Sequence, residues 1–306
     1  MLAIVAPGQG SQTPGMLEPW LAEPGIADLV SALSAASGVD LATLGTTADQ
    51  ETITDTANAQ PLIVAASLIS ATALFGDLPV RRAGVVAGHS VGELAALALA
   101  GVVRAEDSVA LAARRGSLMA DAAGRVPTGM SAVVGGVRED VLEAIEAAGC
   151  APANVNSAQQ VVAAGTPEQL AHLAENPPAR ARVIPLQVAG AFHTEHMAPA
   201  RDAFAEEAAR LSPRDPAVPL LSNREGAVVS SGSDALTRLV TQLTSPVRWD
   251  RCMARMAELG VSGIVELAPG GVLTGLAKRE LKGVPAVAIT SPADLDAARD
   301  LIEEIA

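Results

Sequence analysis

Tyrosine is absent from this chain of 306 residues, and three phenylalanines and two tryptophans are its only large aromatic side chains. Without aromatic platforms, recognition of single-stranded nucleic acid by base stacking is not expected. Basic residues are scarce too: 21 lysines and arginines stand against 34 aspartates and glutamates, a formal net charge of −13. A nucleic-acid partner needs a basic face, so none is expected, and a site for an anionic substrate has to be locally basic. Cysteine occurs twice, at Cys150 and Cys252, with no metal-ligating or redox spacing, which predicts reduced thiols and no metal site. The N-terminus MLAIVAPGQGSQ carries no basic region and only a short apolar run, so no signal peptide is expected. No apolar run stays free of Gly, Pro and charge long enough to predict a bilayer span. These absences together predict a soluble, cytoplasmic protein with no membrane partner.

What is present is aliphatic. Apolar residues make up 49% of the chain, so alanine, valine and leucine must build its core. Residues 2–7, LAIVAP, read as a buried strand ending in a Gly-rich loop, and Pro61 to Gly76 bracket a helix that starts on a first-turn proline. RRAGVVAGHS then gives a short strand, VGELAALALAG a helix, and residues 105–124 an amphipathic helix. Strand alternating with helix predicts a parallel sheet covered by helices. The middle of the chain changes pattern. GMSAVVGG, REDVLEAIEAAG, PANVNSA, QVVAAG, TPEQLAHLAE and ARVIPL read as β-α-β-β-α-β, the ferredoxin-like order. After Gly190 the alternation resumes: a helix from about Glu195 to Leu211, the strand VPLLSN, helices on either side of TSPVRW, the strands SGIVELAP and PAVAI, and a closing helix. The predicted fold class is α/β, with a large domain of the α/β-hydrolase kind around a parallel sheet, interrupted by a small ferredoxin-like subdomain. The limits are residues 1–126 and 190–306 for the large domain and 127–189 for the insertion.

AGHSVGELAALALAG places Ser90 between Gly88 and Gly92, after an apolar strand and before a helix. That is the context of a nucleophile elbow, in which larger flanking side chains would clash. The helix N-terminus favours a developing anion, and the Val91 N–H is placed to donate to an oxyanion. A serine nucleophile needs a base, and only four histidines exist: His89, His172, His193 and His196. His89 adjoins the nucleophile, where side chains diverge. His172 lies mid-helix in the insertion, and His196 falls in the helix that follows. His193, on a loop where the large domain resumes, is the candidate base. No acid between Ser90 and His193 ends a strand of the main sheet, so a backbone carbonyl is an alternative partner for the imidazole.

At this point the residues resemble a known family. PGQGSQ, NAQP, AGHSVGE, ARRGSLM, AFHTEHM, SPVRW and ELAPGGVLTGLAKR occur in the order seen in malonyl-CoA:acyl-carrier-protein transacylases of bacterial fatty-acid synthesis, and polyketide-synthase acyltransferase domains share the pattern. The resemblance spans nearly the whole chain. It implies Ser90 as nucleophile, His193 as base, and Gln9 with the Val91 N–H as oxyanion hole. It further implies that Arg115 binds the malonyl carboxylate, a role that suits a planar guanidinium. Gln242 is implied to orient His193 through its backbone carbonyl, with little dependence on its side chain. Asn156 and Phe192 are implied to line the acyl pocket, Phe192 crowding an added α-methyl; a β-turn role for Asn156 is nearly as good a reading. Gly271 departs from the family, which often carries lysine there. Arg180, Arg182, Lys278, Arg279 and Lys282 are candidates for a local basic patch.

The implied reaction moves a malonyl group from malonyl-CoA to the phosphopantetheine thiol of acyl carrier protein through a malonyl-serine, releasing coenzyme A, with no cofactor or metal. A monomer is expected. Three alternatives stay open: a discrete acyltransferase of a polyketide pathway, a serine hydrolase or thioesterase using the same Ser90–His193 pair, and a non-catalytic carrier-binding module.

Overall fold

A computed structural model describes residues 1–305. Ten strands run in chain order: β1 (Leu2–Ala6), β2 (Val85–Gly88), β3 (Gly129–Gly135), β4 (Ala151–Ser157), β5 (Gln160–Gly165), β6 (Ala181–Pro185), β7 (Leu220–Leu221), β8 (Val228–Val229), β9 (Gly263–Glu266) and β10 (Ala286–Ala288). Six form one sheet in the order β10-β9-β1-β2-β7-β8, parallel except for the antiparallel edge pair β7–β8. The other four form a second, wholly antiparallel sheet in the order β4-β5-β3-β6. The architecture is therefore mixed α/β, with one parallel-dominant and one antiparallel sheet.

The parallel strands are apolar because helices cover both of their faces, except for buried Glu266 at the end of β9, whose carboxylate accepts the N–H groups of Leu273 and Thr274. Along β1 the side chains alternate. Leu2, Ile4 and Ala6 join the large core under the N-terminal helices, while Ala3 and Val5 join a smaller core with Trp249, Cys252 and Leu273. The helix Thr56–Phe75 is apolar on every side and runs through the large core. Its length and composition would suffice to cross a membrane, contrary to the reading from uninterrupted runs, but 72% of its apolar window is buried within the protein. It also starts earlier than expected. The Asp55 carboxylate caps it by accepting from the Ala57 N–H at 2.8 Å, so Pro61 lies inside the helix rather than at its first turn. The expected helix from Glu195 opens as a 3-10 turn and becomes α-helical over Ala198–Ala208.

The antiparallel sheet is two-faced. Val133, Val155, Val161 and Ala163 pack on the helices Arg138–Ala147 and Pro167–Glu175. Met130, Ala153, Val162 and Ala164, on the opposite face, join the large core. Hydrogen bonds of 2.9 Å from Val155 N–H to Val247 O and from Val247 N–H to Ala153 O tie β4 to the rest of the chain. Asn156 of β4 also meets His89, just past the C-terminal end of β2, at the edge where open α/β sheets hold their ligands.

Candidate active site

β2 delivers the chain into a sharp turn, and the helix Gly92–Leu99 leaves it. Ser90, between them, holds φ at 53°, a left-handed conformation costly for a residue with a side chain. Both flanking glycines are required by space. A Cβ on Gly88 would fall inside the backbone of Gly92 and Glu93, and one on Gly92 would strike the carbonyls of Ala6 and Pro7. The turn thus lifts the Ser90 hydroxyl over the end of the sheet. The Val91 N–H beside it has no hydrogen-bond partner among the described residues.

His193 comes in from the other side of the insertion, also in the left-handed region at φ 61°. Its Nε2 lies 2.7 Å from Ser90 Oγ, and its Nδ1 lies 2.8 Å from the backbone oxygen of Gln242. A carbonyl can only accept, so Nδ1 carries the proton and Nε2 presents its lone pair to the serine. That carbonyl caps the helix Gly232–Thr241; it accepts the Ser245 N–H at 3.2 Å from the 3-10 turn that follows, and its second lone pair serves the imidazole. Burial, reinforced by the nearby Arg115 cation, pushes the His193 imidazole down to about 3. It is therefore neutral, the form a base requires, across the physiological range.

Arg115 projects from the helix Ala105–Ala123 and is 1% exposed. Its Nη1 donates to Gln60 Oε1 at 2.7 Å, and its Nη2 to Gln242 Oε1 at 2.8 Å and to Ser90 Oγ at 3.4 Å. Its buried Nε has no partner, and it forms no ion pair with any acid among the described residues. Burial lowers its pKa to about 10, opposed by the charge of Glu93, so it remains a cation at neutral pH. A buried charge held only by neutral amide and hydroxyl oxygens is incompletely compensated. The site thus sets an incompletely compensated cation next to the Ser90 hydroxyl.

The side chain of Gln242 corrects one expectation. It is not incidental: its Oε1 accepts from Arg115, and its Nε2 donates to Ser90 O at 3.2 Å, to Asn223 Oδ1 at 3.2 Å and to the Glu93 carboxylate. Three further residues escaped the reading of the sequence. Gln60 holds the other end of Arg115. Asn223 accepts the Ser90 N–H at 2.7 Å and donates to Gly88 O at 2.7 Å, clamping the elbow from the end of β7. Glu93 lies buried beneath, accepting the Asn223 N–H at 2.6 Å. NAQP, LLSN and AGHSVGE contained these residues, but nothing local marks them as parts of one network.

Ser90, His193, Arg115 and Gln60 open on a cavity of about 270 Å³ that also carries Gln9, Val91, Asn156 and Phe192 on its walls. Phe192 is buried, and Asn156 sits within β4 rather than in a β-turn. Its Oδ1 accepts from His89 Nε2 at 2.8 Å, and burial lowers the His89 pKa, so His89 is a neutral wall residue turned away from the serine. Gln9 is half-buried, with its Nε2 3.4 Å from Thr54 O, a long bond that leaves its amide loosely held. His172 and His196 are exposed and remote from Ser90's hydrogen bonds. Gly271 sits at φ 135° at the start of the helix Val272–Glu280, where a lysine would be strained. A larger open groove of about 600 Å³ beside Pro79, Arg104 and Arg214 contains none of the site residues.

Comparison with known proteins agrees with this architecture. The acyl transferase domain family matches residues 4–295. Malonyl CoA-acyl carrier protein transacylase of Mycobacterium tuberculosis is 58% identical over 297 residues, covering 97% of this chain and 98% of the relative. The protein of the same name from Escherichia coli K12 is 35% identical over 306 residues, covering 98% and 99%. The crystal structure of MCAT from Mycobacterium tuberculosis superposes with a TM-score of 0.94 at 57% identity, covering 99% of each chain. A malonyl-transacylase solved in complex with a type II PKS acyl-carrier protein superposes with a TM-score of 0.91 at 31% identity, covering 98% of this chain and 99% of that one. With its elbow serine and its sheets on that same plan, the chain belongs to the acyl transferase domain family.

Proposed function

We propose that this protein is a malonyl-CoA:acyl-carrier-protein transacylase working through a malonyl-Ser90 intermediate. The observation that carries the reading is Arg115, a buried cation with no carboxylate of its own, 3.4 Å from the nucleophilic oxygen. A malonyl thioester supplies the missing anion and places its carbonyl carbon beside that oxygen.

His193 Nε2 takes the Ser90 proton as Oγ bonds to the thioester carbon. The Val91 N–H and the Gln9 amide hold the oxyanion. The C–S bond then breaks, and the proton passes from His193 to the departing sulfur of coenzyme A. In the second half, His193 takes the proton of the carrier's phosphopantetheine thiol, sulfur attacks the malonyl-serine, and the proton returns to Ser90 Oγ. Arg115, paired with the malonyl carboxylate, occupies the space a hydrolytic water would need; this separates a transferase from a hydrolase using the same Ser90–His193 pair. Asn156 and Phe192 shape the pocket around the acyl group.

The same reading takes the larger sheet as α/β-hydrolase-like and the insertion, over residues 127–189, as ferredoxin-like. The β-α-β-β-α-β order and the strand arrangement β4-β5-β3-β6 support the latter. Two free buried thiols, Cys150 and Cys252, favour a reducing, cytoplasmic setting, and we assign a monomer. The identical chemistry serves fatty-acid or polyketide carriers. Initial rates with malonyl-CoA and a phosphopantetheine-bearing carrier both varied test the mechanism. Parallel double-reciprocal lines are expected; intersecting lines would mean that no acyl-enzyme is formed.

A further inference from the structure

Gln242, like Ser90 itself, touches both His193 and Arg115. Its backbone carbonyl holds His193 Nδ1 at 2.8 Å, and its side-chain Oε1 holds Arg115 Nη2 at 2.8 Å. Its amide can lie only one way round. Nε2 faces three acceptors, Ser90 O, Asn223 Oδ1 and a Glu93 carboxylate oxygen, while Oε1 faces the guanidinium. The charged member of that acceptor set is Glu93, at 6% exposure. Both of its carboxylate oxygens are taken by N–H donors: Oε1 by the Asn223 backbone and Oε2 by Gln242. A proton on either oxygen would face a donor and break a bond. The arrangement is complete only with the carboxylate ionised.

We propose that Glu93 is a positioning residue for acyl transfer: through Gln242 its carboxylate fixes the Arg115 guanidinium in the orientation that receives the acyl group's own carboxylate. The inference rests on the malonyl-transfer reading and deepens it. Glu93 touches neither substrate nor reacting atoms. It forms no ion pair with Arg115; beyond the through-space attraction of the two charges, its hydrogen-bonded link to the guanidinium runs through the intervening amide. Releasing Gln242 frees one side of the guanidinium, and only Gln60 and the long contact to Ser90 Oγ then hold it.

The charge state of Glu93 follows from its surroundings. Burial pushes its pKa up to about 7, against the pull of the Asn223 N–H and of the Arg115 cation. The ionisable groups facing it are few. Arg115 approaches from the helix Ala105–Ala123, and Cys252, whose thiol is pushed up by burial and by Glu93 itself, from the helix Trp249–Glu258. Arg238 on the helix Gly232–Thr241 lines the same small void but is bound outward by Glu225 and Asp234. His193, beyond Gln242, is neutral in this range. As pH falls through neutrality Glu93 takes up a proton, and its hold on Gln242 is lost.

The test compares single-turnover loading of Ser90 from malonyl-CoA and from acetyl-CoA, read by intact mass. In Glu93→Gln an amide N–H faces Gln242 Nε2. Malonyl loading is expected to drop about ten- to hundredfold, the range for losing one hydrogen bond to a charged group. Acetyl loading, which needs no guanidinium, should change much less. Equal losses for both donors would mean a structural role only and would overturn the proposal. Should the variant fail to fold, the wild type answers alone. Its malonyl-to-acetyl loading ratio should decline as pH is lowered from about 8.5 to 5.5, with a midpoint near 7; a flat ratio overturns the proposal. Wild-type protein that never loads malonyl removes the transfer reading and this inference together. Loading with an unshifted ratio removes only this inference.

Discussion

Replacing Arg115 by alanine should turn a malonyl-selective enzyme into one that no longer distinguishes malonyl from acetyl. The guanidinium is buried and has no ion-pair partner among the described residues, so on the proposed reading a bound malonyl carboxylate becomes its counter-ion. A planar guanidinium can give such a group two charge-assisted hydrogen bonds, each worth about 1.5–3 kcal/mol. Truncating one side of a buried, hydrogen-bonded charge pair costs about 2–5 kcal/mol. The overlap of those ranges, about 3–5 kcal/mol, corresponds to a loss on the order of 10²- to 10⁴-fold in kcat/KM for malonyl-CoA. Acetyl-CoA has no carboxylate to lose. Removing the cation also relieves one of the causes that depress His193, making the base stronger. Water can fill the vacated space and satisfy Gln60 and Gln242. Acetyl transfer should therefore stay level or rise. The assay is stopped-flow release of coenzyme A under single-turnover conditions with each donor, with intact mass confirming the site of loading. A variant that keeps its malonyl preference to within about threefold would refute the assignment, since a loss of that size is below 1 kcal/mol.

Other substitutions probe the supports of the site. Gln242→Leu keeps the backbone carbonyl on His193 but removes the amide from Arg115, Ser90 and Glu93, so malonyl transfer should fall by about tenfold or more, measured as kcat/KM. Gly92→Ala forces a methyl into the carbonyls of Ala6 and Pro7, which should destabilise the protein by about 1–3 kcal/mol in urea unfolding, or more if the loop cannot yield. His193, depressed from 6.5 to about 3, stays unprotonated in the folded state while the unfolded chain takes up its proton below pH 6.5. Its contribution to stability is thus present above pH 6.5 and lost as pH falls. The stability difference between wild type and His193→Gln should shrink by about 2 kcal/mol from pH 7 to pH 5, read from denaturant midpoints. Glu93, raised to about 7, acts in the opposite sense in both proteins and so cancels from that difference.

The parts of this molecule that were legible in its sequence are those whose physics is local. The elbow is a backbone problem solved within a few residues, so Gly88, Ser90 and Gly92 announced it. The apolar strand before it and the capped helices of the insertion, such as the one opened by Thr166 and Pro167, follow from short-range rules. His193 emerged because the chain has so few histidines. The network beneath the site was not legible, because its bonds join distant segments. Asn223 reaches Ser90 across 133 positions, and Gln242 reaches Glu93 across 149. Only the folded sheet brings β2 and β7 side by side and so places those amides under the serine. The role of the Gln242 side chain was misjudged for the same reason, since a carbonyl contact says nothing about where the amide beyond it points. The early start of the helix Thr56–Phe75 shows a local competition going the other way, an aspartate cap outweighing a proline that favours first turns.

The central claim is that Ser90 carries a malonyl group shielded from water and emptied by a thiol. The most direct measurement is the fate of the loaded enzyme. Protein is charged with malonyl-CoA, freed of excess donor, and followed by intact mass with and without a phosphopantetheine-bearing carrier protein. The account predicts an adduct on Ser90 that persists in buffer, discharges rapidly to the carrier, and never forms in Ser90→Ala. An adduct that water removes as fast as the carrier does would contradict it and make the protein a hydrolase.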